Sequence, residues 1–226
     1  MKVKLLQFTQ NPERICAIAA RLCYSSITID EISQNFDRGK IEKLLSKVIS
    51  SGHNSVLEHA TFTFSVEGIS RALLAQLTRH RIASFSVQSQ RYVKFENNLE
   101  FVIPESIKNN TSLLEKYNNF LSGLEKLYKE FLKENIPAED ARFILPNASA
   151  TKVIFTMNAR ELRHFFSLRT CNRAQWEIRE MACCMLDLVK KEAPLLFNDA
   201  GPDCIREGCH ETYPCGKPWK KVTAKI

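Results

Sequence analysis

Glycine is scarce in this chain: there are seven among 226 residues. None forms GxGxxG or a Walker loop, so the usual nucleotide-binding fingerprints are missing. There is no C-x-x-C pair and no H-E-x-x-H segment. The stretch His53-Asn54-Ser55-Val56-Leu57-Glu58-His59 comes nearest to a zinc-protease motif, but histidines at this spacing do not share a helical face. No apolar run approaches the ~20 residues that span a bilayer. The start, Met1-Lys2-Val3-Lys4-Leu5-Leu6-Gln7-Phe8, is too short and too interrupted for a signal peptide and reads as a strand. A cytoplasmic protein is expected. In that reducing compartment the eight cysteines are not expected to form a disulfide framework.

What is present is an ordinary globular balance, 44% hydrophobic and 25% charged, with enough length to bury a core. The net charge of +7 favours anionic partners without choosing among them. Asn11 to Cys23 reads as a helix, with Asn11 as N-cap and Pro12 at the first helical position. Ile41, Leu44, Leu45, Val48 and Ile49 give a second helix that stops at Gly52. Phe62, Phe64 and Val66 alternate with polar residues as a strand ending at Gly68, and Ile69 to about Thr78 reads as helix. Leu114, Tyr117, Leu121, Leu124, Tyr128 and Phe131 mark a long amphipathic helix, or a coiled-coil-like seam against another subunit. Val153, Phe155 and Met157 alternate as a strand. Ala159 to Leu168 and Arg173 to about Lys191 read as helices. Strands and helices mix without regular alternation, which predicts α+β rather than a doubly wound sheet. Residues 1–200 are expected to form one catalytic domain, and 201–226 a Cys-rich basic tail.

The densest chemistry lies in Arg79-His80-Arg81-Ile82-Ala83-Ser84-Phe85-Ser86-Val87-Gln88-Ser89-Gln90-Arg91, expected at a helix C-terminus and in the loop after it. Three cations there would complement the helix dipole with no further role. Ser84, Ser86, Ser89 and Arg91 then extend the supply of donors through a segment too polar for core. Arginine forks match phosphates, so the segment reads as an anion site. Asn158, Arg160, Arg163, His164 and Arg169 form a second basic group. Arg160, Arg163 and His164 share one helical face, either a solvated surface or the second wall of an anionic pocket. In the tail, Cys204, Cys209, His210 and Cys215 offer three thiolates and one imidazole. Their spacing does not match a zinc ribbon, so a loosely packed tail is favoured over zinc and no metal site is assigned. Two non-enzymatic readings stay open on composition. One is polynucleotide binding, with Phe85, Tyr92 and Phe95 among the cations. The other is helical assembly through Leu114 to Phe131.

Arg-His-Arg, seven residues, Ser, one residue, Arg, over Arg79 to Arg91, resembles the signature of the flavin-dependent thymidylate synthases. Gly52-His53, Glu58-His59 and Thr61-Phe62-Thr63-Phe64 resemble the family's segment just upstream. Asp140-Ala141-Arg142-Phe143-Ile144-Leu145-Pro146 resembles its arginine-leucine-proline segment. Met157-Asn158-Ala159-Arg160, Leu168-Arg169 and Ala174-Gln175-Trp176-Glu177-Ile178 resemble its C-terminal block. The matches run in order over roughly residues 1 to 195.

The resemblance implies a thymidylate synthase-complementing fold, a central mixed or antiparallel sheet flanked by helices and not a Rossmann domain. It implies methylation of dUMP to dTMP, with methylenetetrahydrofolate as carbon donor and NADPH as reductant through FAD. It also implies a homotetramer with shared active sites, and neither a membrane nor a nucleic-acid partner. Carried over, Arg79, His80 and Arg81 contact FAD, with Ser55 from another subunit, His53 near the flavin, and Asn158, Arg160 and His164 completing the site. Gln76, Leu77, Thr78 and Arg79, the segment Val87, Gln88, Ser89, Gln90 and Arg91, and Arg142 hold dUMP; Val87 also borders the flavin. Arg169 engages the uracil and favours ionisation at N3, with no cysteine nucleophile. The family commonly shows Asn-Glu where this chain has Ser86-Val87. Any contact at Val87 is then through backbone or packing, and Gln88 is placed to compensate.

Overall fold

The computed structural model describes residues 1–95, 99–205 and 208–217. Four strands, β1 (Lys2–Phe8), β2 (Thr61–Ser70), β3 (Ala83–Val87) and β4 (Ala150–Asn158), form one sheet in the order β1-β2-β4-β3. Pairing is antiparallel. Thr9 N donates to Thr61 O at 3.0 Å, the hydroxyls of Thr63 and Thr156 lie 2.9 Å apart, and Gln88 N donates to Lys152 O at 3.0 Å. The expected α+β architecture is present, an antiparallel sheet flanked by helices.

Side-chain alternation gives the sheet two unlike faces. Phe62, Phe64, Val66, Val153, Phe155 and Met157 are all buried on one. Phe64 stacks on Phe155 with ring centroids 5.6 Å apart, and Phe85 of β3 lies 5.9 Å from Phe155. The strand β3 falls in a segment expected to be loop: Ala83, Phe85 and Val87 turn inward while Ser84 and Ser86 are exposed.

Two compact units divide the chain. One comprises Val3–Ser65, His80–Phe85 and Ile154–Ile226. It holds α1 (Pro12–Leu22), α2 (Ile29–Gln34), α3 (Arg38–Ser50) and a 3-10 turn at Asn54–His59. The short α2, not read from the sequence, starts on a capping box between Thr28 and Glu31. Asn11 does sit at the N-cap of α1, but in the left-handed region (φ 49°). Its carbonyl, not its side chain, takes the first amides. Two longer C-terminal helices, α8 (Ala159–Arg169) and α9 (Trp176–Glu192), follow, then α10 (Pro194–Phe197). α9 begins later than expected because the Gln175 side chain caps it, accepting from Glu177 N and Ile178 N. Phe62 meets Phe197 edge-on at 5.3 Å and Phe197 meets Phe166 at 6.0 Å, which joins β2, α10 and α8 in one core.

The other unit comprises Met1–Lys2, Val66–Arg79 and Ser86–Val153. It holds α4 (Arg71–Leu77), α5 (Glu105–Lys108), α6 (Thr111–Lys133) and α7 (Ala138–Ala141). β2 runs past Gly68, which adopts φ 71°, and ends at Ser70. Ser70 Oγ then accepts from Leu73 N at 3.0 Å, so the helix starts at Arg71 instead of Ile69. α6 buries Leu121 and Tyr128 and half-buries Leu114, Tyr117, Leu124 and Phe131, the predicted stripe. In the tail, residues 218–226 lie outside the described residues, and with them Pro218, Trp219, Lys220 and Lys221 of the predicted basic segment.

Candidate active site

In the unit that contains α8, that helix carries Arg160, Arg163, His164 and Arg169. Asn158 ends β4 and caps α8, its Oδ1 accepting from Glu161 N at 2.8 Å. Ala159 N donates to Ala60 O at 2.7 Å, fixing the same end to the segment before β2. Along the helix, Arg163 is buried. Its fork meets Asp199 at 2.6 and 2.8 Å, and Nη1 also donates to the Leu196 carbonyl at 2.6 Å. Arg160 and His164 are exposed, and Arg160 pairs with Glu58 at 2.6 Å. The shared basic face expected for these three is therefore split. Arg163 lies at its margin, and Asp199 draws it inward.

His80 is not on the surface with its neighbours. Arg79 and Arg81 are exposed, but His80 is 5% exposed and Glu161 beside it 7%. His80 Nδ1 lies 3.1 Å from Glu161 Oε1, and Arg169 Nε donates to His80 Nε2 at 3.1 Å. Phe165 meets the imidazole edge-on at 4.9 Å, and the His164 ring lies 6.1 Å away. Burial holds the His80 pKa below its ordinary value. The Glu161 bond opposes that shift and the Arg169 charge reinforces it. His53 and Ser55 are exposed at the start of the 3-10 turn.

Between α8 and α9, Arg173 donates to the Tyr213 carbonyl and pairs with Glu211 at 3.4 Å, while Asn172 Nδ2 donates to Lys217 O at 2.8 Å. These contacts hold the described part of the tail. Cys204, Cys209, His210 and Cys215 line a cavity of about 160 Å³ together with Cys171. Among the described residues, no three His, Cys, Asp or Glu side chains are gathered closely enough to hold a metal ion. No helix among the described residues is long and apolar enough to cross a membrane.

In the other unit, Gln76 Nε2 donates back to Ala72 O at 3.2 Å, Thr78 Oγ1 to Leu74 O at 3.1 Å, and Leu77 is fully buried. Ser89 Oγ accepts from Arg91 N at 3.1 Å, which turns the chain after β3. Val87, Gln88, Ser89 and Gln90 are half-buried. Arg91 Nε meets Glu139 Oε2 at 2.6 Å, and Arg142 Nε donates to the Glu139 carbonyl at 3.0 Å. A third guanidinium joins them. Arg71 Nη2 donates to the Gln88 carbonyl at 2.9 Å, and its Nε is buried with no hydrogen-bond partner. Burial, then the charge of Arg142, lowers the Arg71 pKa. The surplus of positive charge around Glu139 suits a phosphate.

The sequence reading missed Arg71 and Glu161. Arg71 carries a signal, since a cation in the first turn of a helix opposes the macrodipole and wants another reason to be there. Glu161 carries none: an acidic residue in the first turn of α8 is what the dipole favours anyway.

A sequence model of the family described as Thymidylate synthase complementing protein matches residues 4–195. The chain is 51% identical over 219 residues to a flavin-dependent thymidylate synthase of Geobacter sulfurreducens, covering 96% of this chain and 94% of that protein. It is 45% identical over 238 residues to one from Pyrococcus furiosus, covering 98% of each. Among solved structures it is similar to a UMP/dUMP methylase, PolB, from Streptomyces cacaoi bound with 5-Br dUMP, at TM-score 0.76 and 24% identity, covering 87% of this chain and 93% of that one. The last likeness is one of fold.

Proposed function

This chain belongs to the flavin-dependent thymidylate synthases, the thymidylate synthase-complementing family, and on that premise we propose that it methylates dUMP to dTMP with methylenetetrahydrofolate as carbon donor and NADPH as reductant. The donor set fits a flavin dinucleotide. His53, Ser55, Arg81, Arg160 and His164 are all exposed, offering cations and hydrogen-bond donors of the kind a pyrophosphate takes. Arg79, at the end of the α4 segment, adds one more. Bound there, FAD would supply the redox chemistry by carrying the reducing equivalents.

The protein's own part is positioning and charge. Arg71, Arg91 and Arg142 clamp the nucleotide phosphate, with Ser89 beside them. Gln88 is fixed at both backbone atoms, its N on Lys152 O and its O under Arg71, so the segment keeps its shape without the acidic residue that Val87 replaces. Gln76, Leu77 and Thr78 contribute through the end of α4 on which they sit. Arg169 lies against the uracil and stabilises the anion that develops as N3 ionises. The pyrimidine C5 then becomes nucleophilic without a cysteine adding at C6. Active sites are shared in a homotetramer. The observation that supports this reading most directly is a half-buried arginine, Arg169, anchored by its Nε on a buried imidazole.

The test is optical. The purified protein should be yellow, and its flavin band should bleach with NADPH once dUMP is present. A colourless protein that cannot be reconstituted with FAD would sink the proposal.

A further inference from the structure

Glu161, His80 and Arg169 form a continuous hydrogen-bonded chain inside one unit of the molecule. An arginine Nε always carries a hydrogen and has no lone pair to offer. The 3.1 Å contact from Arg169 Nε therefore requires an unprotonated Nε2 on His80. The proton of a neutral imidazole must then sit on Nδ1, where it faces the Glu161 carboxylate at 3.1 Å. Both ends of the ring are assigned by the same two distances. The lowered pKa of His80 agrees with a neutral ring.

We propose that Glu161 is a positioning residue for the methyl-transfer reaction: it holds His80 as the Nδ1–H tautomer, so that Nε2 presents its lone pair to Arg169. In the other tautomer, or in the imidazolium, Nε2–H would point at Arg169 Nε–H. Two donors would face one another and the guanidinium would leave its anchor. Phe165, packed at a steep angle to the imidazole, and the buried setting keep water from substituting for the carboxylate. The logic is that of an outer partner that orients a working group by fixing the protonation of the histidine between them. Glu161 touches neither nucleotide nor flavin in this scheme.

The inference rests on the role proposed for Arg169, and its test separates the two. Histidine-labelled, FAD-loaded protein is examined by nitrogen NMR, with the His80 signals assigned by their loss in His80→Gln. The wild type should show a protonated Nδ1 and a bare Nε2. Glu161→Gln can still accept from Nδ1–H, so it should keep that tautomer and lose less than about 10-fold in kcat, whereas Glu161→Ala should mix the tautomers and lose about 10–100-fold with little change in KM for dUMP. Combined with Arg169→Ala, the Glu161→Ala change should cost nothing further. A wild-type His80 protonated at Nε2 overturns the proposal without any variant having to fold. So does full turnover in Glu161→Ala, or an effect of Glu161→Ala that adds undiminished to Arg169→Ala. If Arg169→Ala itself turns over normally, the role of Arg169 fails, while the tautomer result still decides whether Glu161 sets the ring.

Discussion

Arg71 offers a case in which stability and substrate binding should respond differently to one substitution. Its Nε is buried and unpartnered, its Nη2 holds the Gln88 carbonyl, and Arg142 lies close enough to repel it. Arg71→Met keeps most of the aliphatic stem and removes the charge. Loss of the bond to Gln88 costs about 1–2 kcal/mol, but removing a buried unpaired donor returns a similar amount, so net stability should stay within about 1 kcal/mol of wild type. Binding should not be spared. A charged hydrogen bond to a phosphate is worth about 1.5–3 kcal/mol, which weakens dUMP by roughly 10–150-fold. Deoxyuridine, which lacks the phosphate, should bind the variant and wild type alike. The assay pairs urea unfolding of the ligand-free enzyme with titrations of dUMP and deoxyuridine. A variant that binds dUMP as wild type does, or that loses both nucleotides equally, refutes the assignment of Arg71 to the phosphate.

Other outcomes follow from the same geometry. Arg169→Ala should retain the flavin spectrum and lose most turnover; wild-type turnover would remove it from the chemistry. Asp199→Ala removes the counter-charge of the buried Arg163 guanidinium and leaves it the Leu196 carbonyl. It should cost about 3 kcal/mol, at the low end for a broken buried pair because Asp199 is half exposed. The urea midpoint should fall with an unchanged slope. His80 is depressed below its ordinary 6.5 by burial, with Glu161, Arg169 and His164 as its charged and titratable neighbours. As pH falls below 6.5 the unfolded chain takes up the proton before the folded one, so stability declines with falling pH until the folded His80 also titrates. Turnover should fall on an acid limb placed below 6.5, as protonation releases Arg169. A limb that persists unchanged in His80→Gln would contradict this.

Elements with a strong period were legible in the sequence. The alternating apolar residues of β2 and β4 and the stripe of α6 follow the same physics in sequence and structure, because burial on one face selects both. β3 was not legible. Its five residues offer only Ala83, Phe85 and Val87 to the core, and serines and arginines around them look like loop. The boundary of α4 moved because the Ser70 cap outranked the apolar Ile69. At the site, cationic residues stood out by composition, yet their fates diverged for reasons no spacing records. His80 and Arg163 went inward because Glu161 and Asp199 were there to meet them, one from distant sequence and the other from beyond α10.

The cap at Asn158 also works as a pivot. Helix α8 continues from the β4 residue Asn158, whose Oδ1 caps it at Glu161 N, and Ala159 N ties its first residue to Ala60 O just before β2, while Arg169 stands at its far end. Ten rises of an α-helix make a lever of ~15 Å, so a swing of only ~4° at the clamp carries Arg169 by ~1 Å. Displacements of about that size can cost a positioned group on the order of 100-fold in rate. If Arg169 works at the uracil as proposed, the stiffness of a joint far from any reacting atom would set the tolerance of that contact. The Arg163–Asp199 fork, part-way along the arm, acts as its strut.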